Sequence, residues 1–257
     1  AQFKDREGLE SELARFSPAE VIIPANNENV SNWMLAMGIH TTPRESESWA
    51  YPVAKKILEE RFGSVSELNT YPMAVTSAGA ILSYVKDTQF SDLPHLRPPS
   101  LLVKAKTMTL DAVTLRNLEI VKTIGDSSKD TLFAVLNKTS TAGGSRKLKD
   151  WLLRPLYDLD KLNQRHDAVQ ELYDNTLSRR EIKDILKGFQ DVERLLSRLG
   201  HGSISPRDLD SLKTSINTLK ELKQFLSEEP LKSKLMKLLV KSIDTHKQVS
   251  EKLEEAL

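Results

Sequence analysis

Cysteine is absent from this chain of 257 residues. The absence excludes disulfide bonds, thiolate metal sites and a cysteine nucleophile, and it fits a cytoplasmic protein. Long apolar runs are missing too, since none approaches the roughly 18 residues of a membrane span, and no signal peptide is visible. An excess of charge is also missing: the formal net charge is +1, so no global feature marks a nucleic-acid binder. We therefore expect a cytoplasmic protein without a membrane partner.

Catalytic and metal-binding patterns are equally scarce. The zinc-protease pattern H-E-x-x-H and the nucleophile turn G-x-S-x-G do not occur in the sequence. Paired carboxylates such as Glu59 and Glu60 lie on polar helix faces, where contact with solvent accounts for them. The histidines are scattered: His40, His95, His166, His201 and His246. We predict no catalytic, cofactor-binding or metal-binding residue in this chain.

Two glycines before a hydroxyl and two basic residues invite comparison with a phosphate-binding loop. In the pattern G-x-x-x-x-G-K-[ST] a lysine directly follows the second glycine. Here Ser145 and Arg146 follow Gly144, and no glycine stands five residues before it. The spacing therefore favours the start of a helix, and an anion held by its first N–H groups is the alternative.

The helix that follows carries Leu148, Trp151 and Leu152 at the spacing of one apolar face. Pro155 ends it, because its ring clashes with the preceding turn and it has no N–H. We expect this face to be packed in a core. Replacing a fully buried Trp151 by alanine would then cost about 3–5 kcal/mol.

The first ninety residues predict short helices mixed with at least one strand, an α/β pattern. Residues 21–23 form a short apolar run that is typical of a buried strand. A helix is predicted over Tyr51–Phe62, with Pro52 in its first turn and Gly63 as its C-terminal cap. Small residues in a further helix, over about 73–87, permit close packing.

The remainder of the chain predicts a mostly helical region. Residues 93–99 are expected to be extended, because successive prolines forbid a helix, and they mark a boundary. Residues 101–103 and 118–121 are candidate strands, and helices follow from Thr131 onward. Ser205 and the following proline indicate the start of a long helix, and a leucine-rich stripe follows in the sequence. One last helix is predicted to open at Pro230.

Lysines are frequent among these C-terminal helices. Acidic residues offset them, so they predict a solvated face, with a nucleic-acid surface as the alternative. They are Lys213, Lys220, Lys223, Lys232, Lys234, Lys237 and Lys241.

Four segments carry motifs in a fixed order: residues 77–96, which include Tyr84, Thr88 and Gln89; residues 110–120; residues 131–165; and the pair 191–195 and 205–209. In these segments the chain resembles the MutS family of DNA mismatch-repair ATPases. Each motif is modest alone, but together they cover most of the chain. The residues that carry the signature are structural: Asn117, Gly144, Ser145, Arg146, Trp151, Pro155 and Arg207.

The resemblance implies an α+β chain in two pieces. Residues 1–92 resemble the latter part of the connector domain, with a ribonuclease-H-like α/β fold, and residues 93–257 the first half of the helical core domain. The chain starts with Ala1 and stops within a helical pattern, so we expect a fragment. The resemblance implies a longer ATPase that binds ATP and magnesium through other domains, while this chain holds no cofactor and is no enzyme.

The implied function is structural: a segment that links mismatch recognition to ATP-driven clamp movement. The implied partners are the remaining MutS domains and, through the whole protein, mismatched duplex DNA, a MutL-like protein and a second copy in a homodimer. One alternative is a docking module for the MutL-like partner. A nuclease, suggested only by the ribonuclease-H-like fold, is another, but it requires clustered carboxylates that hold metal ions.

Overall fold

The chain divides into two compact units, Ala1–Lys104 and Ala105–Leu257, hereafter the N-terminal and the C-terminal unit. A computed structural model describes residues 3, 6–16, 18–89, 96–99, 107–108, 110–125 and 127–257. Within the segment expected to be extended, residues 96–99 form neither helix nor strand, and residues 93–95 lie outside the described residues. Helices dominate and the sheet is small, which is consistent with the α+β class.

The N-terminal unit combines a two-stranded parallel sheet with helices. Its elements are α1 (Arg6–Phe16), β1 (Glu20–Pro24), α2 (Glu28–Ala36), β2 (His40–Arg44), α3 (Tyr51–Phe62) and α4 (Pro72–Gln89), with short 3₁₀ turns at Ser46–Trp49 and Ser66–Leu68. Parallel strands require a crossover connection, and α2 provides it. Ile22 lies opposite Thr42 in the register, so the strand predicted at residues 21–23 is confirmed.

The core of the N-terminal unit lies between α3 and α4. Both predicted helices are confirmed, and Gly63 ends α3 with a φ of 77° that favours glycine. A Cβ on Gly79 would lie 2.5 Å from the Cα of Ala54, so the two helices meet backbone to backbone there. The buried side chains around this contact are Leu58, Val65, Leu68, Val75 and Leu82. The small residues predicted to permit close packing do so.

The C-terminal unit consists of helices. They are α5 (Ala112–Asn117), α6 (Leu132–Leu136), α7 (Ala142–Leu153), α8 (Leu159–Asp174), α9 (Thr176–Leu186), α10 (Val192–Gly200), α11 (Pro206–Glu228), α12 (Lys234–Ser242) and α13 (Lys247–Ala256). Each helix from α5 to α12 begins at a Ser, Thr, Asp or Asn whose side chain accepts a backbone N–H bond. Such caps satisfy N–H groups that lack a partner within the helix.

Helix α11 is the centre of the C-terminal unit, and its predicted start is confirmed. Ser205 and Asp208 form a reciprocal capping box there. Leu212 and Ile216 pack with Leu195 of α10, and Leu226 packs with Met236 of α12. The leucine-rich stripe therefore contributes to two core clusters rather than one continuous seam.

The candidate strand at residues 118–121 is wrong. These residues form turns, and Glu119 has a φ of 47°. A strand fails here because Leu118 caps the end of α5, and the Glu119 carboxylate accepts a bond from the Ile124 N–H at 2.8 Å. The other candidate strand, residues 101–103, lies outside the described residues.

The single last helix expected from Pro230 is also wrong, because two helices, α12 and α13, are present. Asp244 accepts a bond from the His246 N–H at 2.9 Å, and His246 adopts a left-handed backbone with a φ of 43°. The Lys223 ammonium of α11 donates to the Ile243 carbonyl at 2.6 Å, and this contact holds the end of α12 in place. Leu238 and Leu239 are exposed, because α12 packs in the core through Met236 and Val240 instead. No helix among the described residues is long and apolar enough to cross a membrane.

Candidate functional site

Gly143 and Gly144 lie in the first turn of α7, and nearby side chains already form hydrogen bonds there. Thr141 accepts a bond from the Gly144 N–H at 3.0 Å, and the Asn137 side-chain amide donates to the Ser145 hydroxyl at 2.9 Å. Thr139 in turn donates to Asn137 at 2.7 Å. An anion at this helix start would have to displace Thr141 from the Gly144 N–H. The arrangement supports a structural helix start.

Arg146, one turn into α7, joins this helix to the start of α10. Its guanidinium forms two bonds to the Asp191 carboxylate, at 2.8 and 3.0 Å, and an ion pair with Glu193 at 2.6 Å. Asp191 also caps α10 by accepting from the Arg194 N–H. The bonds from Arg146 lower the pKa of Asp191, and the bond to Asp191 raises the pKa of Arg146. Two-pronged pairing of this kind fixes orientation as well as distance.

A second ion pair joins the end of α10 to the start of α11. The Arg198 guanidinium donates to Asp208 at 2.7 Å. Asp208 also receives the Ser205 N–H at 3.0 Å, and bonds from Ser205 are the main cause of its lowered pKa. We call the five side chains of the two contacts the charged link: Arg146, Asp191, Glu193, Arg198 and Asp208. Through it, α10 is held to α7 at one end and to α11 at the other.

Trp151 is not buried, contrary to expectation. Its side chain is 37% exposed, and Leu153 is the buried residue of α7. The Arg165 guanidinium lies 3.8 Å from the centre of the indole ring and covers one of its faces. Burial against the indole lowers the pKa of Arg165, because a shielded guanidinium is solvated less well than an exposed one. The condition for a loss of about 3–5 kcal/mol is therefore not met.

The remaining signature residues lie apart. Helix α7 ends at Leu153, as expected just before Pro155, whose carbonyl accepts a bond from the Met108 N–H at 2.7 Å. Asn117 ends α5 and Arg207 lies in the first turn of α11, and both are exposed. Asp191 and Asp208 lie within the motifs at 191–195 and 205–209, but these motifs do not predict the ion pairs. The pair of Arg146 with Asp191 has no local sequence signal, because the two residues lie 45 positions apart.

In the N-terminal unit the motif around Tyr84 ties α4 to both strands. The Tyr84 hydroxyl donates to the Glu20 carboxylate of β1 at 3.1 Å, and the Asp87 carboxylate pairs with Arg44 of β2. Thr42 also donates to Glu20. Bonds from Thr42 and then Tyr84 lower the pKa of Glu20, and the bond to Glu20 raises the pKa of Tyr84. Tyr84, a residue of the sequence motif at 77–96, therefore has a structural contact that joins α4 to β1.

Metal ligands and cavities of the described residues bear on catalysis and cofactor binding. Across residues 6–16, 18–89, 96–99 and the described parts of 107–257, no group of three His, Asp or Glu side chains could hold a metal ion. The cavity beside Glu171 and Glu229, between α8, α9 and α11, measures about 30 Å³. That volume fits one water molecule rather than a nucleotide. Both carboxylates already accept bonds, from Ser233 and from Ser178 respectively.

Both units are similar in sequence to known families. The family described as MutS domain II matches residues 1–97, and MutS domain III matches residues 113–257. A protein named DNA mismatch repair protein MutS, from Methanosarcina acetivorans, is 38% identical over 238 residues, which cover 89% of this chain and 26% of that protein. Its namesake from Pelotomaculum thermopropionicum is 36% identical over 256 residues, 97% of this chain and 30% of its own length. The chain thus spans between a quarter and a third of these relatives.

Proposed function

This chain belongs to the MutS family, and from that premise we propose that it is a structural and coupling segment of a DNA mismatch-repair ATPase. It links mismatch recognition to ATP-driven clamp movement and carries no catalytic group itself. In this proposal residues 1–92 are the latter part of a ribonuclease-H-like connector domain, and residues 93–257 the first half of the core domain. Other domains of a longer cytoplasmic protein bind ATP, magnesium and mismatched duplex DNA, and that protein forms a homodimer.

The charged link is the observation that carries the proposal. Coupling between distant sites requires elements that move as units, and closely packed helices joined at fixed angles meet that requirement. Arg146 and Asp191 meet in a two-pronged pair, so a rotation of α7 is passed to α10 with little freedom. Arg198 and Asp208 continue this contact to α11, the longest helix of the C-terminal unit.

The test is Arg146→Gln in the whole mismatch-repair ATPase that contains this segment. We expect mismatch binding and basal ATP hydrolysis to remain, and the stimulation of hydrolysis by a mismatch to fall about 5-fold or more, since coupling free energies have that size. Lys147→Gln is the matched control, because Lys147 is the next residue, loses the same charge and pairs only with Asp150 within α7 at 3.8 Å. Equal stimulation in both variants would overturn the coupling role.

A second variant separates the ion pair from the helix cap. Asp191→Asn can still cap α10, because asparagine is as good an N-cap as aspartate, but it removes the charge that faces Arg146. We expect it to reproduce the loss seen with Arg146→Gln, and the double variant to be no worse than either single one. The isolated chain should release no phosphate from ATP above background; robust turnover would contradict its non-catalytic role.

A docking role for the N-terminal unit is the second candidate, and exposed apolar side chains favour it. Leu35 of α2 is 73% exposed and Met73 of α4 is 67% exposed, with Ile81 about two turns further along α4. A contiguous apolar patch is typical of a protein contact surface, and Met73 and Ile81 lie on the same side of α4. Met73→Ser with Ile81→Ser should weaken binding of a purified MutL-like protein to this chain. Unchanged binding would exclude this face.

A further inference from the structure

We propose that the outer face of α12 binds the phosphate backbone of double-stranded nucleic acid. Residues 230–243 contain four lysines and no acidic residue, in a chain whose charges otherwise nearly balance. Lys234, Lys237 and Lys241 stand at i, i+3 and i+7, so they form one row along the helix. All three side chains are exposed. We call them the lysine row.

The opposite face of α12 holds the row in place. Met236 is buried in a cluster with Leu226 of α11, and Val240 packs against that cluster. The start of α12 is fixed as well, because the Glu171 carboxylate of α8 accepts the Ser233 N–H at 2.9 Å. The lysine row is therefore displayed on an anchored helix rather than on a loop.

The lysine row lacks acidic partners. Among the described residues, none of its three ammonium groups lies within 4.0 Å of a carboxylate, whereas Lys247 pairs with Glu251 at 3.7 Å. Other lysines of this region are used inside the unit: Lys220 donates to Ser250 at 2.7 Å and Lys223 donates to a backbone carbonyl. Lysines that look equivalent in the sequence therefore differ in the structure. Lys220 and Lys223 form contacts within the unit, whereas the lysine row has no acidic partner among the described residues.

The spacing of the row suits a nucleic-acid strand. Lys234 and Lys241 are seven residues apart, which is about 10.5 Å along a helix. One strand of a duplex carries a phosphate about every 3.4 Å along its axis, so the row faces roughly three phosphates. Lysine is depleted at protein–protein interfaces but is a common phosphate ligand, which favours nucleic acid over an acidic protein. A membrane is disfavoured, because Met236 and Val240 already pack in the core and only Leu238 and Leu239 of the described α12 are left to enter a bilayer.

The experiment measures binding of this chain to a labelled, fully paired DNA duplex by fluorescence anisotropy over a salt series. Each phosphate contact adds about 0.9 to the slope of log affinity against log salt. We expect Lys234→Gln, Lys237→Gln and Lys241→Gln together to remove about 2.7 from that slope and to weaken binding at least 10-fold at about 50 mM salt. The loss should not depend on the DNA sequence.

The matched control replaces three lysines that already have acidic partners: Lys56, Lys187 and Lys247. It changes the net charge by the same amount, so it should leave most of the slope in place. Thermal melts check that both variants remain folded. The proposal is overturned if the unchanged chain does not bind the duplex at low salt, or if the two triple variants bind equally. It is also overturned if anionic lipid vesicles displace the duplex and Leu238→Ala abolishes that displacement.

This site is independent of the coupling role, because none of the charged link's residues belongs to the lysine row. Loss of DNA binding in the row variant with normal mismatch stimulation would support this inference alone. The opposite result, normal DNA binding with lost stimulation in Arg146→Gln, would support the coupling role alone.

Discussion

In the N-terminal unit, α3 and α4 approach until Gly79 has no room for a methyl group, whereas in the C-terminal unit helices meet through charged side chains at their ends. Among the described residues, five buried side chains of the N-terminal unit form one cluster, whereas those of the C-terminal unit form two clusters of three. Steric fit thus fixes the first pair of helices, while in the second group caps and ion pairs add to smaller apolar contacts.

The largest expected losses of stability follow from truncating a core leucine in each unit. Leu58 of the N-terminal unit is 1% exposed and Leu195 of the C-terminal unit is 7% exposed. We expect Leu58→Ala to lower the free energy of unfolding of its unit by about 4 kcal/mol and Leu195→Ala by about 2–3 kcal/mol, within the range for buried leucines. Hydrogen exchange of peptides from each unit measures the two losses separately. Equal losses would show that the C-terminal core is as tightly packed as the other.

The same substitution at two helical glycines should have opposite effects. Gly79→Ala forces α3 and α4 apart, and we expect a loss of about 1–3 kcal/mol, as for overpacked cores. At Gly143 of α7 a Cβ meets nothing within 4 Å. Gly143→Ala should therefore stabilise its unit by about 0.5–1 kcal/mol through helix propensity. Urea unfolding followed by circular dichroism measures both changes. A destabilising Gly143→Ala would mean that α7 packs more closely than the C-terminal unit otherwise suggests.

The smallest expected difference is in pH dependence. The lowered pKa of Glu20 gives stability that is present above about pH 4.3, its unfolded pKa, and is lost as the pH falls through the folded value. The raised pKa of Tyr84 gives stability that is present below about pH 10 and is lost as the pH rises through the folded value. The hydrogen bond between Tyr84 of α4 and Glu20 of β1 therefore contributes less stability at both low and high pH.

The pair of Arg146 and Asp191 weakens on the acid side alone. The pKa of Asp191 is lowered, and an arginine keeps its proton at every pH that a protein survives. Unfolding of the unchanged chain and of Tyr84→Phe, measured from neutral to alkaline pH, tests the contrast. We expect the variant to lose less stability above about pH 10 than the unchanged chain. Parallel curves would show that the Tyr84 contact does not stabilise the N-terminal unit.

Helix boundaries in both units could be predicted from local signals. Pro52, Gly63 and Ser205 act within one turn of the chain, so the start and end of α3 and the start of α11 were correctly placed. The parallel sheet register and the pair of Arg146 with Asp191 could not be predicted, because their partners lie 20 or more residues apart. The exposure of Trp151 was not predictable for a similar reason, because it depends on a contact with Arg165 of the next helix.

Apolar spacing predicts which residues share a face, but it does not predict what covers that face. In α7 the indole of Trp151 is covered by a guanidinium rather than by a core. In α12 the apolar side chain of Leu238 is exposed, because Met236 and Val240 make the core contact of this helix. Tertiary contacts determine the surroundings of Trp151 and Leu238, and the local spacing of apolar residues does not predict those contacts.

The two halves of the charged link also differ in when they can close during synthesis. Arg198 and Asp208 are 10 residues apart, whereas Arg146 and Asp191 are 45 apart. A ribosome adds about 5–20 residues per second, so Asp208 follows Arg198 after about 0.5–2 s, and Asp191 follows Arg146 after about 2–9 s. Arg146 is thus synthesised several seconds before Asp191. Throughout that interval the nascent α7 displays an unpaired guanidinium, open to any carboxylate that emerges earlier.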